Sequence, residues 1–145
     1  MIHVWELLDR KDGDVRSIDP DMSVLDAARL MNRHRIGALC VMKGPELVGI
    51  LTERDVMTRV VAEARAPAHT AVETVMTTPV LTCTPDTKLS HARAVMRDQR
   101  VRHLPVVDQR RVVGMVSIGD LNGAENATLA ATIQQMETYI AGEPM

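Results

Sequence analysis

At 145 residues the chain is one ordinary domain or two small halves sharing a core, because a unit of about 60 residues is marginal alone. A net charge of −2 offers no general field for nucleic acid or an anionic membrane. Apolar residues make up 46%, normal for a soluble globular protein, yet Trp5 and Tyr139 are the only aromatics, so the core is aliphatic and no stacking platform for single-stranded nucleic acid is on offer.

The start, Met1 to Glu6, has no basic region leading into an apolar run, and no stretch is long enough to span a bilayer. A cytoplasmic location is the default expectation. Cys40 and Cys83 are far apart and read as buried structural thiols rather than zinc ligands. His3, His34, His69, His91 and His103 share no close ligand spacing, so no metal centre is expected.

Val4 to Leu8 predicts a turn or so of helix, followed by a charged, solvated loop over Asp9 to Asp14. Val15 to Ile18 reads as a short extended piece, ended by Asp19-Pro20-Asp21. Ser23 is a good N-cap, and Val24, Ala27, Ala28, Leu30 and Met31 follow at helical spacing, which predicts a helix over 23–34. Ala38 to Met42 and Leu47 to Leu51 read as a hairpin around Lys43-Gly44-Pro45-Glu46. Thr52 caps a helix predicted to run to about Ala64, with Val56, Met57, Val60 and Val61 on one face. Ala66 to Thr70 is a linker, and Val72 to Met76 repeats the short entry segment. Thr78-Pro79-Val80 to Pro85 is a second extended piece, Lys88 to Gln99 a helix, and Leu104–Val107 with Val112–Val116 a second hairpin. Ser117 caps the next helix. In the tail, Leu129, Ile133, Met136 and Ile140 form one apolar stripe, which either folds back on the core or makes a dimer contact.

The chain repeats itself. Gly49-Ile50-Leu51-Thr52-Glu53-Arg54-Asp55 returns as Gly114-Met115-Val116-Ser117-Ile118-Gly119-Asp120, an offset of 65 residues. The same offset pairs Pro20-Asp21 with Pro85-Asp86, Met31 with Met96, and Leu39-x-Val41 with Leu104-x-Val106, without a gap from Val15/Val80 onward. The protein is therefore two copies of one supersecondary unit.

Elementary chemistry says what such a motif can hold. Thr52 and Ser117 sit where a strand feeds a helix, whose first N–H groups have no helical partner and suit an anion such as a phosphate. Asp55 and Asp120 lie one turn on; a carboxylate accepts two hydrogen bonds and fits the paired hydroxyls of a ribose. Ile50 and Met115 can line a slot for a flat base. A hydroxyl followed three residues later by an acid also resembles a helix capping arrangement, and both readings stay open.

The order strand–helix–strand–strand–helix, twice, with Gly-x-x-[Ser/Thr]-x-x-Asp after each hairpin, resembles the CBS domain. Thr84-Pro85-Asp86 and Arg102-His103-Leu104-Pro105 fit as well. The resemblance covers about residues 1–124 and implies a mixed α/β (α+β) fold, two β-α-β-β-α repeats packed with pseudo-twofold symmetry. It sets repeat one at 1–65, repeat two at 66–124, and an extra C-terminal helix at 125–145.

The family implies a regulatory binding module, not an enzyme. Related pairs bind adenosyl compounds (AMP, ADP, ATP, NAD(H), S-adenosylmethionine) in two clefts, with or without magnesium, and no cofactor is required. By resemblance one cleft takes Thr84 with Thr52, Arg54 and Asp55. The other takes Asp19 with Ser117 and Asp120, the family's basic position falling on Arg102 and His103. Asp19 offers a carboxylate where Thr84 offers a hydroxyl, and Gly119 replaces Arg54, so the first cleft is the better phosphate site. Homodimers through the helices after each motif (Val56, Met57, Val60, Val61; those near Leu121) are implied, with output through a separate effector protein. The competing expectation is a structural or interaction module with vestigial clefts. A nucleotide-processing enzyme lacks a nucleophile–base pair, and acidity with missing aromatics argues against nucleic acid.

Overall fold

A computed structural model describes residues 1–11 and 15–141; part of the predicted charged loop, residues 12–14, lies outside the described residues. The elements are α1 (Val4–Leu8), β1 (Ser17–Ile18), α2 (Val24–His34), β2 (Ala38–Lys43), β3 (Glu46–Thr52), α3 (Glu53–Val56), α4 (Leu89–Gln99), β4 (His103–Asp108), β5 (Arg111–Ser117) and α5 (Ile118–Ile140). The mixed α+β order of two tandem repeats is that expected from the sequence.

The chain forms two compact units, each discontinuous in sequence. One comprises residues 13–82 and 107–114; the other comprises 1–12, 83–106 and 115–145. The first therefore holds α2, the whole first hairpin and the entry segment that precedes the second repeat; the other holds α4, the ends of β4 and β5 away from their turn, and the entry segment that precedes the first repeat.

In the first unit β1 lies parallel to β2, and β2 runs antiparallel to β3, with a bulge at Val41/Met42. Ile18, Val24, Ala27, Met31, Leu39, Val41, Leu51, Val60, Val72 and Val75 form its core, aliphatic as the composition demands. The Ser23 hydroxyl accepts from the Asp26 amide at 3.1 Å, the predicted N-cap. The other unit buries Val4, Leu7, Cys83, Ala92, Met96, Leu104, Val106, Val116, Leu121 and Ala124. Its first strand is reduced to a single parallel bridge, Cys83 to Val106, at the positions equivalent to Ile18 and Val41.

The entry segments dock through the same three backbone hydrogen bonds. In one unit Val24 N–H donates to Thr70 O (2.8 Å), Val72 N–H to Met22 O (2.9 Å) and Glu73 N–H to Pro20 O (2.9 Å). In the other, Leu89 N–H donates to Ile2 O (2.8 Å), Val4 N–H to Thr87 O (2.9 Å) and Trp5 N–H to Pro85 O (3.0 Å). Both α2 and α4 end at an arginine in the left-handed region, Arg35 (φ 53°) and Arg100 (φ 56°), a conformation usually given to glycine.

Expectations fail locally in the two helices that follow the motifs. The helix after Thr52 does not continue to Ala64: α3 stops at Val56 and the chain passes into a π-helical turn over Met57–Val61. Three β-branched residues, Thr58, Val60 and Val61, disfavour the regular helix there. The turn buries Val60 completely and leaves Met57 and Val61 exposed, so the predicted four-residue face does not exist. Leu121 is likewise core rather than surface. The tail is not a separate helix but the continuation of α5, one helix of 23 residues.

Candidate functional site

Each repeat ends its hairpin in the same corner. β3 delivers Thr52 in an extended conformation (φ −113°, ψ 160°) to the start of α3, and β5 delivers Ser117 (φ −108°, ψ 162°) to the start of α5. Both hydroxyls then cap their helix. Thr52 Oγ1 accepts from the Asp55 amide at 3.1 Å, and Asp55 Oδ2 accepts from the Thr52 amide at 3.0 Å. Ser117 Oγ accepts from the Asp120 amide at 3.1 Å, and Asp120 Oδ2 from the Ser117 amide at 2.8 Å. These are complete capping boxes. The first helical amide is engaged as well: Glu53 N–H donates to Gly37 O (3.0 Å) and Ile118 N–H to Arg102 O (2.9 Å). The expectation that the first amides are left for an anion is corrected accordingly, since two of the first three in each helix have partners.

The carboxylates take further donors, and here the repeats differ. Asp55 is 6% exposed; it accepts from Thr77 Oγ1 at 3.0 and 3.2 Å and lies 3.8 Å from Arg59 Nε. Arg59 also donates to the carbonyls of Val75 and Met76 at 3.3 and 3.0 Å, which ties the π turn to the linker. Asp120 is half-buried and pairs with Lys11 Nζ at 2.8 Å, which also donates to Met115 O at 2.6 Å. Burial opposes ionisation of Asp120, but the Lys11 ammonium and the Ser117 amide outweigh it and hold the carboxyl below the usual aspartate range.

The repeated motif announces Asp55 and Asp120 but not these partners. Arg59 was legible in principle, four residues after Asp55 on a helical segment. Thr77 and Lys11 were not, because their pairing depends on which unit each entry segment joins.

The remaining predicted residues fall as follows. Ile50 is buried, and its backbone N–H and C=O pair with Thr77 at 3.0 and 2.9 Å. Arg54 is exposed on α3. Thr84 is exposed in the other unit, where its hydroxyl lies 3.3 Å from that of Thr87. Asp19 is exposed, and its carbonyl caps the turn to Met22 (3.2 Å). Arg102 is exposed before β4, while His103 at the strand's start and Met115 in β5 are half-buried.

Within the unit that holds Asp55, a groove of about 490 Å³ opens along Glu46, Leu47, Val48, Thr78, Pro79, Val80, Thr82 and Val107. It starts one residue beyond Thr77, whose hydroxyl holds Asp55. Its volume lies within the roughly 300–1,000 Å³ of small-molecule sites, and its walls join aliphatic side chains with Glu46 and two threonines. Ile50 does not line it; the bulged end of β3 and the cross-linker to the second repeat do. No pattern of period or spacing announced those walls.

Neither thiol suits nucleophilic chemistry: burial pushes both Cys40 and Cys83 up to about 11, so little thiolate is present near neutral pH. Among the described residues no group of three or more His, Cys, Asp or Glu could hold a metal ion, and no helix is long and apolar enough to cross a membrane.

Two repeated corners with capped hydroxyl–carboxylate pairs, each fed by an exchanged entry segment, define a paired-repeat module. The CBS-domain family model matches residues 6–62 and 72–127, and the chain belongs to that family. It is 38% identical over 136 residues to the mitochondrial CBS domain-containing protein CBSX3 of Arabidopsis thaliana, covering 90% of this chain and 66% of the relative's length. Among solved structures it resembles the CBS-domain containing protein ATU1752 from Agrobacterium tumefaciens (35% identity, TM-score 0.81, 86% of this chain and 93% of that one). It also resembles the CBS domain pair of protein MJ0100 in complex with 5′-methylthioadenosine and S-adenosyl-L-methionine (26% identity, TM-score 0.77, 87% and 97% coverage).

Proposed function

We propose that this protein is a regulatory module that binds an adenosyl compound and passes the occupied state to a separate effector protein. The observation that supports it most is the groove of mixed polar and apolar lining beside the Asp55–Thr77 contact, in a chain whose structural relative MJ0100 was solved in complex with adenosyl ligands. In this reading Thr52, Arg54, Asp55 and Thr84 serve one ligand, with Arg54 the cation for a phosphate. Ser117, Asp120, Asp19, Arg102 and His103 serve the other, and Ile50 and Met115 lie behind the bases. No catalytic residue and no metal belong to the proposal; magnesium would enter only with a triphosphate. The module acts as a homodimer in the cytoplasm.

The ligand can shift the module only by its differential affinity for two states. Thermal shift with AMP, ADP, ATP with and without magnesium, NAD, NADH, 5′-methylthioadenosine and S-adenosylmethionine tests the reading. A ligand at 100 times its Kd stabilises by about 2.7 kcal/mol, a shift of several degrees. Calorimetry on Arg54→Ala then ranks the sites: loss of the tighter site supports the assignment, and unchanged binding removes it. A flat panel on nucleotide-free protein overturns the ligand reading.

One observation favours a second reading, an interaction module with vestigial clefts. Both motif carboxylates already have their hydrogen bonds within the chain, so a ribose would have to share or displace them. A flat panel together with a specific protein partner would establish that reading.

A further inference from the structure

Among the described residues, helix α5 is anchored only at its root. Leu121 and Ala124 are buried, and Arg93 of α4 holds Asn122 Oδ1 at 3.0 Å and Glu125 Oε2 at 2.9 Å. Beyond that, the helix is bare: residues 125–137 are all exposed. The segment from Asn126 to Ala141 would extend about 24 Å at 1.5 Å per residue. A helix of that length without packing is marginal in water. This one is a poor exception, because Thr128, Thr132, Ile133, Thr138 and Ile140 are β-branched.

Its exposed residues are ordered. Leu129 (54% exposed), Ile133 (54%), Met136 (62%) and Ile140 (84%) recur at four, three and four, a heptad seam. With Ile133 and Ile140 at the a positions, Leu129 and Met136 fall at d, and Asn126 at the preceding a. Isoleucine, branched at Cβ, at a, with leucine and methionine, which are not branched at Cβ, at d and one asparagine at a match the preferences of a parallel two-stranded coiled coil, the asparagine fixing its register.

Charge selects the partner. Glu137 is the only charged residue from Asn126 to Ala141, so the arm has no lysine or arginine for an anionic lipid surface. In a parallel pair Glu137 would face Thr132, and Glu125 would face Ala130, of the second copy, so no like charges meet. The residues that root α5, Leu121 and Ala124, lie roughly 120° round the helix from the seam at 3.6 residues per turn, which leaves the seam clear of its own unit.

We infer that residues 126–140 of α5 pair with the same residues of a second copy as a parallel two-stranded coiled coil. The pairing uses neither motif corner and stands whether or not an adenosyl ligand binds.

Sedimentation equilibrium of the full chain tests it. The wild type should be a dimer, and Ile133→Asp with Ile140→Asp should raise the dimer Kd at least about tenfold. Ala131→Asp, on the opposite face, should leave it unchanged. The altered side chains lie beyond the buried root, so circular dichroism should lose no more than the arm's own helical signal and the adenosyl-ligand thermal shift should stay as in the wild type, which separates this outcome from failure of the ligand reading. Asn126→Cys supplies the orientation: with Cys40 and Cys83 buried, mild oxidation should yield a disulfide-linked dimer through the new thiol. A monomeric wild type, a dimer indifferent to the two aspartates, or absence of the cross-link would overturn the proposal.

Discussion

Asp55 and Asp120 occupy equivalent corners and close equivalent capping boxes, yet they are finished differently. Asp55 is buried under a hydroxyl, Thr77, with Arg59 at its edge. Asp120 is half-buried and takes an ammonium, Lys11. The cause lies in the connections. Val72 to Met76 matches Val4 to Leu8 at an offset of 68 residues rather than 65, so the first connection is three residues longer. The longer one brings a lysine to the corner; the shorter one presses Thr77 against Asp55 and lays Met76 over Gly49. One corner is built as core and the other as a screened surface pair.

The comparison is most easily broken at the carboxylates themselves. Asp55→Ala leaves the Thr52 and Thr77 donors without their buried acceptor and should cost about 3 kcal/mol. Asp120→Ala, at a wetter site, should cost about 1 kcal/mol. Urea denaturation of both variants measures the difference; equal losses would mean that burial does not distinguish the corners. This matters for the ligand proposal, because loss of binding in Asp55→Ala counts only if the variant is folded.

Gly49 gives the next effect. A Cβ there would collide with Met76 Sδ and lie 2.9 Å from its Cγ, so Gly49→Ala should destabilise by about 2 kcal/mol. Since the clash is with a side chain, Met76→Ala in the same chain should recover part of that loss, a non-additivity visible in a double-mutant cycle. Additive losses would show that the glycine is needed for some other reason.

These particulars mark how far the sequence could be read. The gapless repeat was visible because the α-helix caps, the hairpins and the Gly-x-x-[Ser/Thr]-x-x-Asp corners are local, and local rules place them. Helices α2 and α4, both hairpins and both caps lie where spacing put them. The partners Thr77, Lys11 and the groove walls at Pro79 and Val80 were not visible. They depend on an exchange of entry segments that leaves no periodic trace, and on linkers without pattern. The π turn was missed for another reason: Val56, Met57, Val60 and Val61 satisfy a helical stripe on paper, while three β-branched residues and the Arg59 contacts decide the winding.

A pH titration sharpens the same contrast. The folded carboxyl of Asp120 is held below its ordinary value, so the unfolded chain takes up that proton first as the pH falls. The contribution of the pair to stability is complete above the unfolded aspartate value, about 3.9, and is lost as the pH drops through the lower folded one. Lys11→Met should flatten the stability curve in that acid window and leave its shape near neutral pH unaltered. A curve that stays as steep as the wild type's would show that Lys11 contributes nothing to the linkage.

The smallest effect separates the two hairpins. The first turns through Gly44 at φ 61°, a conformation glycine adopts freely. The second places Gln109 (φ 49°) and Arg110 (φ 66°) between Asp108 and Arg111, two consecutive residues in the left-handed region, as a two-residue type I′ turn requires. Both side chains are strained there, and Asn-Gly is the pair that fits. The double change Gln109→Asn, Arg110→Gly should therefore stabilise the chain by about 0.5–1 kcal/mol, raising Tm by roughly 1–4 °C. Gly44→Ala, by contrast, meets no neighbouring atom within 4 Å and should lose stability through its backbone alone. Thermal melts of the two variants should move in opposite directions. If both fall, the second hairpin is not strained at its turn and its glutamine and arginine are held there by contacts of their own.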